Sequence, residues 1–157
     1  MISLIDRINI HTTPGQVFTW LEQMPQAYAS WHPDHVACRV LHGSMIEVGS
    51  EIECKEYLHG KLHLMRFRMT KVIPNNRIEF VIEGMGRGAF EAQETGDAVN
   101  FVAEIEIGSE IPIIGRIFDF VFALLFNQRI ESMMQHVAEE GRNLKAILES
   151  ESPLSMS

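Results

Sequence analysis

The sequence predicts an α+β domain: a curved antiparallel sheet of about seven strands wrapped around one long C-terminal helix, with two short helices after the first strand. Three observations predict it. Segments alternating between apolar and polar side chains follow one another between residues 36 and 108, separated by short turns. An apolar stripe at helical spacing then runs through roughly 113–149. A sheet this large beside a single terminal helix must bend around that helix to bury both apolar surfaces.

Each element has its own signal. Residues 2–10 have strand character, with Ile2, Leu4, Ile8 and Ile10 on one side. HTTPGQVFTWLEQM starts a helix in which Thr13 is the N-cap, Pro14 takes the first helical position and Gln16 completes a capping box. Val17, Trp20 and Leu21 form its apolar face. Pro25 stops it, and PQAYASW has room only for a short second helix or a turn. Strands follow at 36–42 and 50–58. In the latter, Ile52, Cys54, Glu56 and Leu58 share one face, while Glu51, Glu53, Lys55 and Tyr57 share the other. Glu56 therefore lies on an apolar face. HGK turns the chain at 59–61. The strand at 62–73 has His63, Met65, Phe67 and Met69 on one face, with Arg66 and Arg68 on the other. After a PNN turn, RIEFVIEG is a strand. GMGRG is read as turn or bulge glycines; no helix and no GKS or GKT follows, so it is not a phosphate loop. AFEAQE and AVNFVAEIEIG form a last hairpin around TGD.

In the long helix Phe126, Ile130, Met133, Val137 and Leu144 form the stripe. Glu140 falls inside it and His136 on its edge, one turn apart on a single face. Glu131, Gln135, Glu139 and Arg142 fall opposite and read as solvated. A carboxylate pointed at a core requires a partner, a proton or a metal.

Composition limits the function classes. A chain of 157 residues is one domain, 1–150, with a flexible polar tail at 151–157. The net charge of −8 argues against nucleic-acid backbones and anionic membranes as partners. Two cysteines are too few for a disulfide framework, and no signal peptide is recognisable, so a cytoplasmic protein with reduced thiols is expected. The most apolar run, Ile113 to Phe126, is too short to span a bilayer and carries Arg116 and Asp119. It is expected to form a homodimer contact or a mobile cavity mouth.

The order of strand, two helices, about six strands and a long helix containing IPIIGRIFDFVFALLF and NLKAILE resembles the SRPBCC superfamily, the START-like and polyketide-cyclase helix-grip fold. That resemblance covers nearly the whole chain and implies a cavity between sheet and helix. YASWHPDHV at 28–36, together with the late HVAEE, is similar to the diacetylphloroglucinol hydrolase family, a zinc-dependent branch of the superfamily. It implies a metal held by two His and two Glu, here His35 (or His32 in its place), Glu56, His136 and Glu140.

The residues themselves agree with that chemistry. Two imidazoles and two carboxylates suit zinc first, with iron or manganese as alternatives. With an open position such a centre polarises a carbonyl and activates a water. WHPDH alone reads as a helix-to-strand turn, with Trp31 packing, Pro33 fixing the corner and Asp34 capping. Only its combination with Glu56 and HVAEE favours a metal. Tyr28 and His32 are the candidate catalytic groups, Tyr28 as proton donor or oxyanion partner or simply an interfacial aromatic. His63, Cys54, Arg129 and Met133 are candidate contacts to a small hydrophobic or aromatic ligand. The function expected is metal-dependent hydrolysis of a small, partly apolar carbonyl compound; the resemblance implies C–C cleavage of an acylated phenol or diketone. The alternative is a metal-free carrier or cyclase-like pocket for a polyketide or lipid.

Overall fold

The computed structural model describes residues 2–108 and 112–151, with side chains in the last helix from Ile130 onward. Its elements are β1 (Ile2–Ile10), α1 (Pro14–Glu22), α2 (Met24–Trp31), β2 (His35–His42), β3 (Glu51–Leu58), β4 (Lys61–Ile73), β5 (Arg77–Ile82), β6 (Gly86–Thr95), β7 (Ala98–Ile107) and α3 (Pro112–Glu151). The seven strands form one sheet in the order β1-β7-β6-β5-β4-β3-β2, antiparallel throughout. The two short helices connect its opposite edges, and α3 crosses its inner face. Among the described residues no helix is long and apolar enough to cross a membrane. The expected contact at Ile113 to Phe126, and the side chains of Phe126 and Arg129, lie outside the described residues.

Local chemistry accounts for most element boundaries. Thr13 caps α1, its hydroxyl accepting from the Gln16 amide at 3.2 Å. The capping box is only half made: Gln16 Oε1 accepts from the Thr12 hydroxyl at 2.6 Å instead of returning to Thr13. Pro25 lies in the first turn of α2, where a missing N–H leaves no helical bond unmade. The break between the helices falls at Gln23. His59 and Gly60 both have positive φ, 54° and 75°, as a tight two-residue hairpin between β3 and β4 requires.

The glycine run differs from the sequence reading. Gly84 does turn the chain, but Gly86 and Gly88 lie within β6. A β-carbon on Gly88 would stand 2.6 Å from the Phe80 ring and 2.9 Å from the Glu104 carbonyl. Close packing, not turning, requires glycine there.

The helix is fastened at two places. Lys145 Nζ donates to the Asn9 carbonyl at 2.7 Å, and Glu149 accepts from the His11 amide at 3.0 Å, tying its C-terminal half to the end of β1. Further back, Trp31 Nε1 donates to the Glu140 carbonyl and Asn143 Nδ2 to the Trp31 carbonyl, both at 2.9 Å, tying α2 to α3. Val137, Leu144 and Leu148 are buried against the sheet, as the stripe requires.

Candidate functional site

The second fastening decides which groups meet. It sets the C-terminus of α2 at the level of Glu140, after which the chain turns through Pro33 and Asp34 and enters β2 at His35. His35 is the register partner of Glu56 on β3. A helix end, two strands and one turn of α3 thus converge.

His35 has no exposed side-chain surface. Its ring stacks on Tyr28 with centroids 4.0 Å apart and planes 4° from parallel. Nδ1 lies 3.1 Å from the Tyr28 backbone carbonyl, which can only accept, so Nδ1 carries a proton. Nε2 faces two carboxylates, Glu140 Oε1 at 2.8 Å and Glu56 Oε2 at 3.3 Å. His136 Nε2 stands 3.3 Å from the same Glu140 oxygen and, among the described residues, is buried with no hydrogen bond. The Tyr28 hydroxyl donates to Glu56 Oε2 at 2.6 Å.

One donor atom from each of His35, Glu56, His136 and Glu140 falls within 4.8 Å of the other three. Metal–ligand bonds of about 2.0–2.1 Å at tetrahedral angles give ligand–ligand edges of roughly 3.4 Å. The three contacts of 2.8, 3.3 and 3.3 Å approach that spacing, so these residues could hold a small divalent cation.

A ring nitrogen of His32 also falls within 4.8 Å of those of His35 and His136, but its hydrogen bonds differ from those of His35. His32 Nδ1 accepts from the Asp34 amide at 3.0 Å, which puts the proton on Nε2, and Nε2 donates to Glu139 Oε2 at 2.9 Å. Both nitrogens are occupied, and the ring does not reach the cavity. This arrangement also corrects the reading of Glu139 as solvated: the carboxylate is half-buried against His32.

The electrostatics follow the contacts. Burial pushes the Tyr28 hydroxyl far above its ordinary pKa, with the Glu56 charge adding to it, so Tyr28 keeps its proton. Burial also raises Glu56, although the Tyr28 bond works against it. Burial would raise Glu140 too, but the His136 and His35 rings facing its carboxylate hold it below the usual value. For His136, burial alone would lower the pKa, and Glu140 more than reverses this.

Beside the cluster lies a cavity of about 110 Å³ between sheet and helix. Ile52, Cys54, Glu56 and Leu58 of β3 and Met65, Phe67 and Met69 of β4 line it, as their alternation predicts, and Met133, His136, Val137 and Glu140 of α3 close it. Of the candidate ligand contacts, Cys54 and Met133 are on its wall. His63 is not: it pairs with Glu56 across the strands but is exposed near the hairpin end of β4. Trp31 was missed as a positioning residue, because no spacing in the sequence links it to Glu140. Three further wall methionines, Met24, Met45 and Met85, carry only a compositional signal: nine Met in 157 residues is a high count.

No family model matches the chain, and no curated protein matches it. Solved structures do. A START superfamily protein from Mycobacterium smegmatis superposes with a TM-score of 0.69 at 12% identity, covering 96% of this chain and 99% of that one. The fold is the START-like helix grip. A polyketide-cyclase-like protein from Corynebacterium glutamicum has a TM-score of 0.60 at 18% identity, covering 95% of this chain and 92% of its own. Ginseng major latex-like protein 151 from Panax ginseng has a TM-score of 0.64 at 14% identity, covering 94% and 97%. At such identities the START-like likeness carries the fold alone, and the ligand set rests on the four residues.

Proposed function

We propose that this START-like domain binds one small, predominantly apolar molecule in the cavity between sheet and α3. The observation that carries the reading is the asymmetry of that cavity. Its walls are Met, Phe, Ile and Leu side chains, and its polar groups gather where Tyr28, Glu56, His136 and Glu140 meet. Apolar walls with a few convergent polar groups are what a ligand site needs: the walls supply affinity and the polar end supplies orientation. The cavity's volume of about 110 Å³ is somewhat below the roughly 150 Å³ of an apolar cavity that admits benzene, and its wall is not fully closed. The ligand class is therefore about one ring in size, and flexible methionines give some latitude. Titration with acetophenone, a single ring bearing one carbonyl, tests this. Saturable one-to-one binding is expected, and its absence at millimolar concentration rejects the reading.

A second reading adds a cation, and His35 favours it. With Nδ1 engaged by a carbonyl, Nε2 faces two carboxylate oxygens. Lone pairs facing one another need a proton or a metal between them. We propose zinc, with iron or manganese as alternatives, held by His35, Glu56, His136 and Glu140; this is the set that resembles the diacetylphloroglucinol hydrolase family. Such an ion polarises a carbonyl and lowers the pKa of a bound water. The chain's own residues would orient the rest. The methionine and phenylalanine walls exclude bulk water. Tyr28 keeps its proton and holds Glu56 in one orientation. Hydrolysis of an aryl ketone or diketone, with C–C cleavage, is the reaction this arrangement suits. Elemental analysis of protein purified without chelator tests the ion, with one equivalent expected in the wild type and none in His136→Ala. Ligand binding without turnover in zinc-loaded protein would reject the hydrolase and leave the carrier.

A further inference from the structure

A second recess, of about 170 Å³, adjoins the apolar cavity. Asp34 from the turn after α2, Tyr57 and His59 from the β3–β4 hairpin, and Ser132, Gln135 and Glu139 of α3 line it. Leu58, Met133 and His136 line both spaces, so these three side chains form the partition between them. The partition is soft. Leu58 and Met133 are only half-buried, and an unbranched methionine changes shape at little cost. The apolar cavity alone is tight for one ring, and past Met133 a group attached to that ring gains the larger recess.

The two spaces differ in chemistry. Apolar side chains wall the cavity, whereas the recess is mostly polar and has no Lys or Arg in its lining. Its two carboxylates are not equivalent. Glu139 is committed, because the His32 ring and the Gln135 amide both donate to it. Asp34 is half-exposed, and its Oδ2 stands 3.8 Å from His32 Nδ1 and 3.7 Å from His136 Nδ1, beyond hydrogen-bond reach. Among the described residues the Asp34 carboxylate thus has charge and acceptor capacity to spare.

We propose that the recess is a second subsite of the ligand site and takes a cationic ammonium group, so that the molecule bound is an apolar ring joined by a short chain to an amine. The proposal rests on the ligand reading above and narrows its class. An ammonium entering the recess meets an uncommitted carboxylate in a partly enclosed space, where their attraction exceeds its value in bulk water. An anionic group there would face Asp34 and Glu139 with no Lys or Arg to offset them. A neutral apolar group would strip water from Asp34 and return no hydrogen bond or charge.

The test uses phenylalkyl-trimethylammonium ions with one to four methylenes between ring and nitrogen. They keep their charge at any pH and cannot ligate a metal ion. The controls are the neutral tert-butyl analogues, in which carbon replaces nitrogen. Dissociation constants are read by competition against acetophenone. At one chain length or more, the ammonium ion should bind at least about tenfold more tightly than its neutral analogue and displace acetophenone one for one. Asp34→Asn keeps the shape of the side chain and removes its charge. It should bring that ratio below about threefold and still bind acetophenone, which also shows that the variant folds. Asp34→Glu, which keeps the charge, should keep the preference. Acetophenone binding with no ammonium preference at any length, a preference that survives in Asp34→Asn, or ammonium binding that leaves acetophenone in place would each overturn the proposal. Failure of the wild type to bind acetophenone would instead overturn the ligand reading, and this proposal with it.

Discussion

His35 and His32 are three residues apart and chemically identical, yet their hydrogen bonds separate them completely. A backbone amide on Nδ1 and a carboxylate on Nε2 engage both His32 nitrogens, although one lies within 4.8 Å of His35 and His136. A backbone carbonyl on Nδ1 leaves His35 Nε2 facing the acidic pair. In His35→Ala, zinc affinity should fall by more than about 100-fold, beyond the 10–100-fold typical of losing an outer partner. His32→Ala should retain one equivalent. Isothermal titration with zinc distinguishes them, and equal losses would reject His35 as ligand. The same residues set a pH dependence. Glu56 and His136 both have folded pKa values above their ordinary ones, so each binds its proton more tightly in the folded state. Their stabilisation is complete below the unfolded values, about 4.3 and 6.5, and is lost as pH rises through the folded ones. Metal-free protein should therefore melt at a lower temperature near pH 8 than near pH 5. Zinc requires the deprotonated ligands and should reverse that slope. Parallel melting curves with and without zinc would contradict a shared site.

Among the elements, β6 and α3 carry the geometry. Gly88 lets β6 pass close to the Phe80 ring and the Glu104 carbonyl. Gly88→Ala must displace a ring and backbone together, and a cost of about 1–3 kcal/mol in urea unfolding is expected. A neutral result would show that the sheet accommodates a β-carbon there. α3 depends on two fastenings far apart in sequence, to β1 and to α2. The alternation of β3 and β4 was legible because a two-residue period leaves only two faces to choose between. The exposure of His63 was not legible, since alternation assigns a face but not how far along the strand that face is covered.

For the whole molecule, cavity and cluster share Glu56, His136 and Glu140, while the far wall belongs to the cavity alone. Met65 lines the cavity and makes no contact with the four donors among the interactions described. Met65→Trp should fill the space and weaken acetophenone binding at least about tenfold, with zinc stoichiometry unchanged. Loss of both together would mean that the two parts form one cooperative unit.

The sequence alone determined the architecture: seven alternating segments and a striped helix admit few ways to bury their apolar faces, and the START-like grip is one of them. It also determined that Glu56, His136 and Glu140 turn inward, because periodicity is a local property of the chain. Tertiary structure decided the rest. Which histidine joins them, what Glu139 holds, and which wall Cys54 shares with Tyr28 all depend on contacts between residues tens of positions apart. Those contacts follow from how α2 docks on α3 through Trp31 and Asn143, and no spacing along the chain encodes that docking.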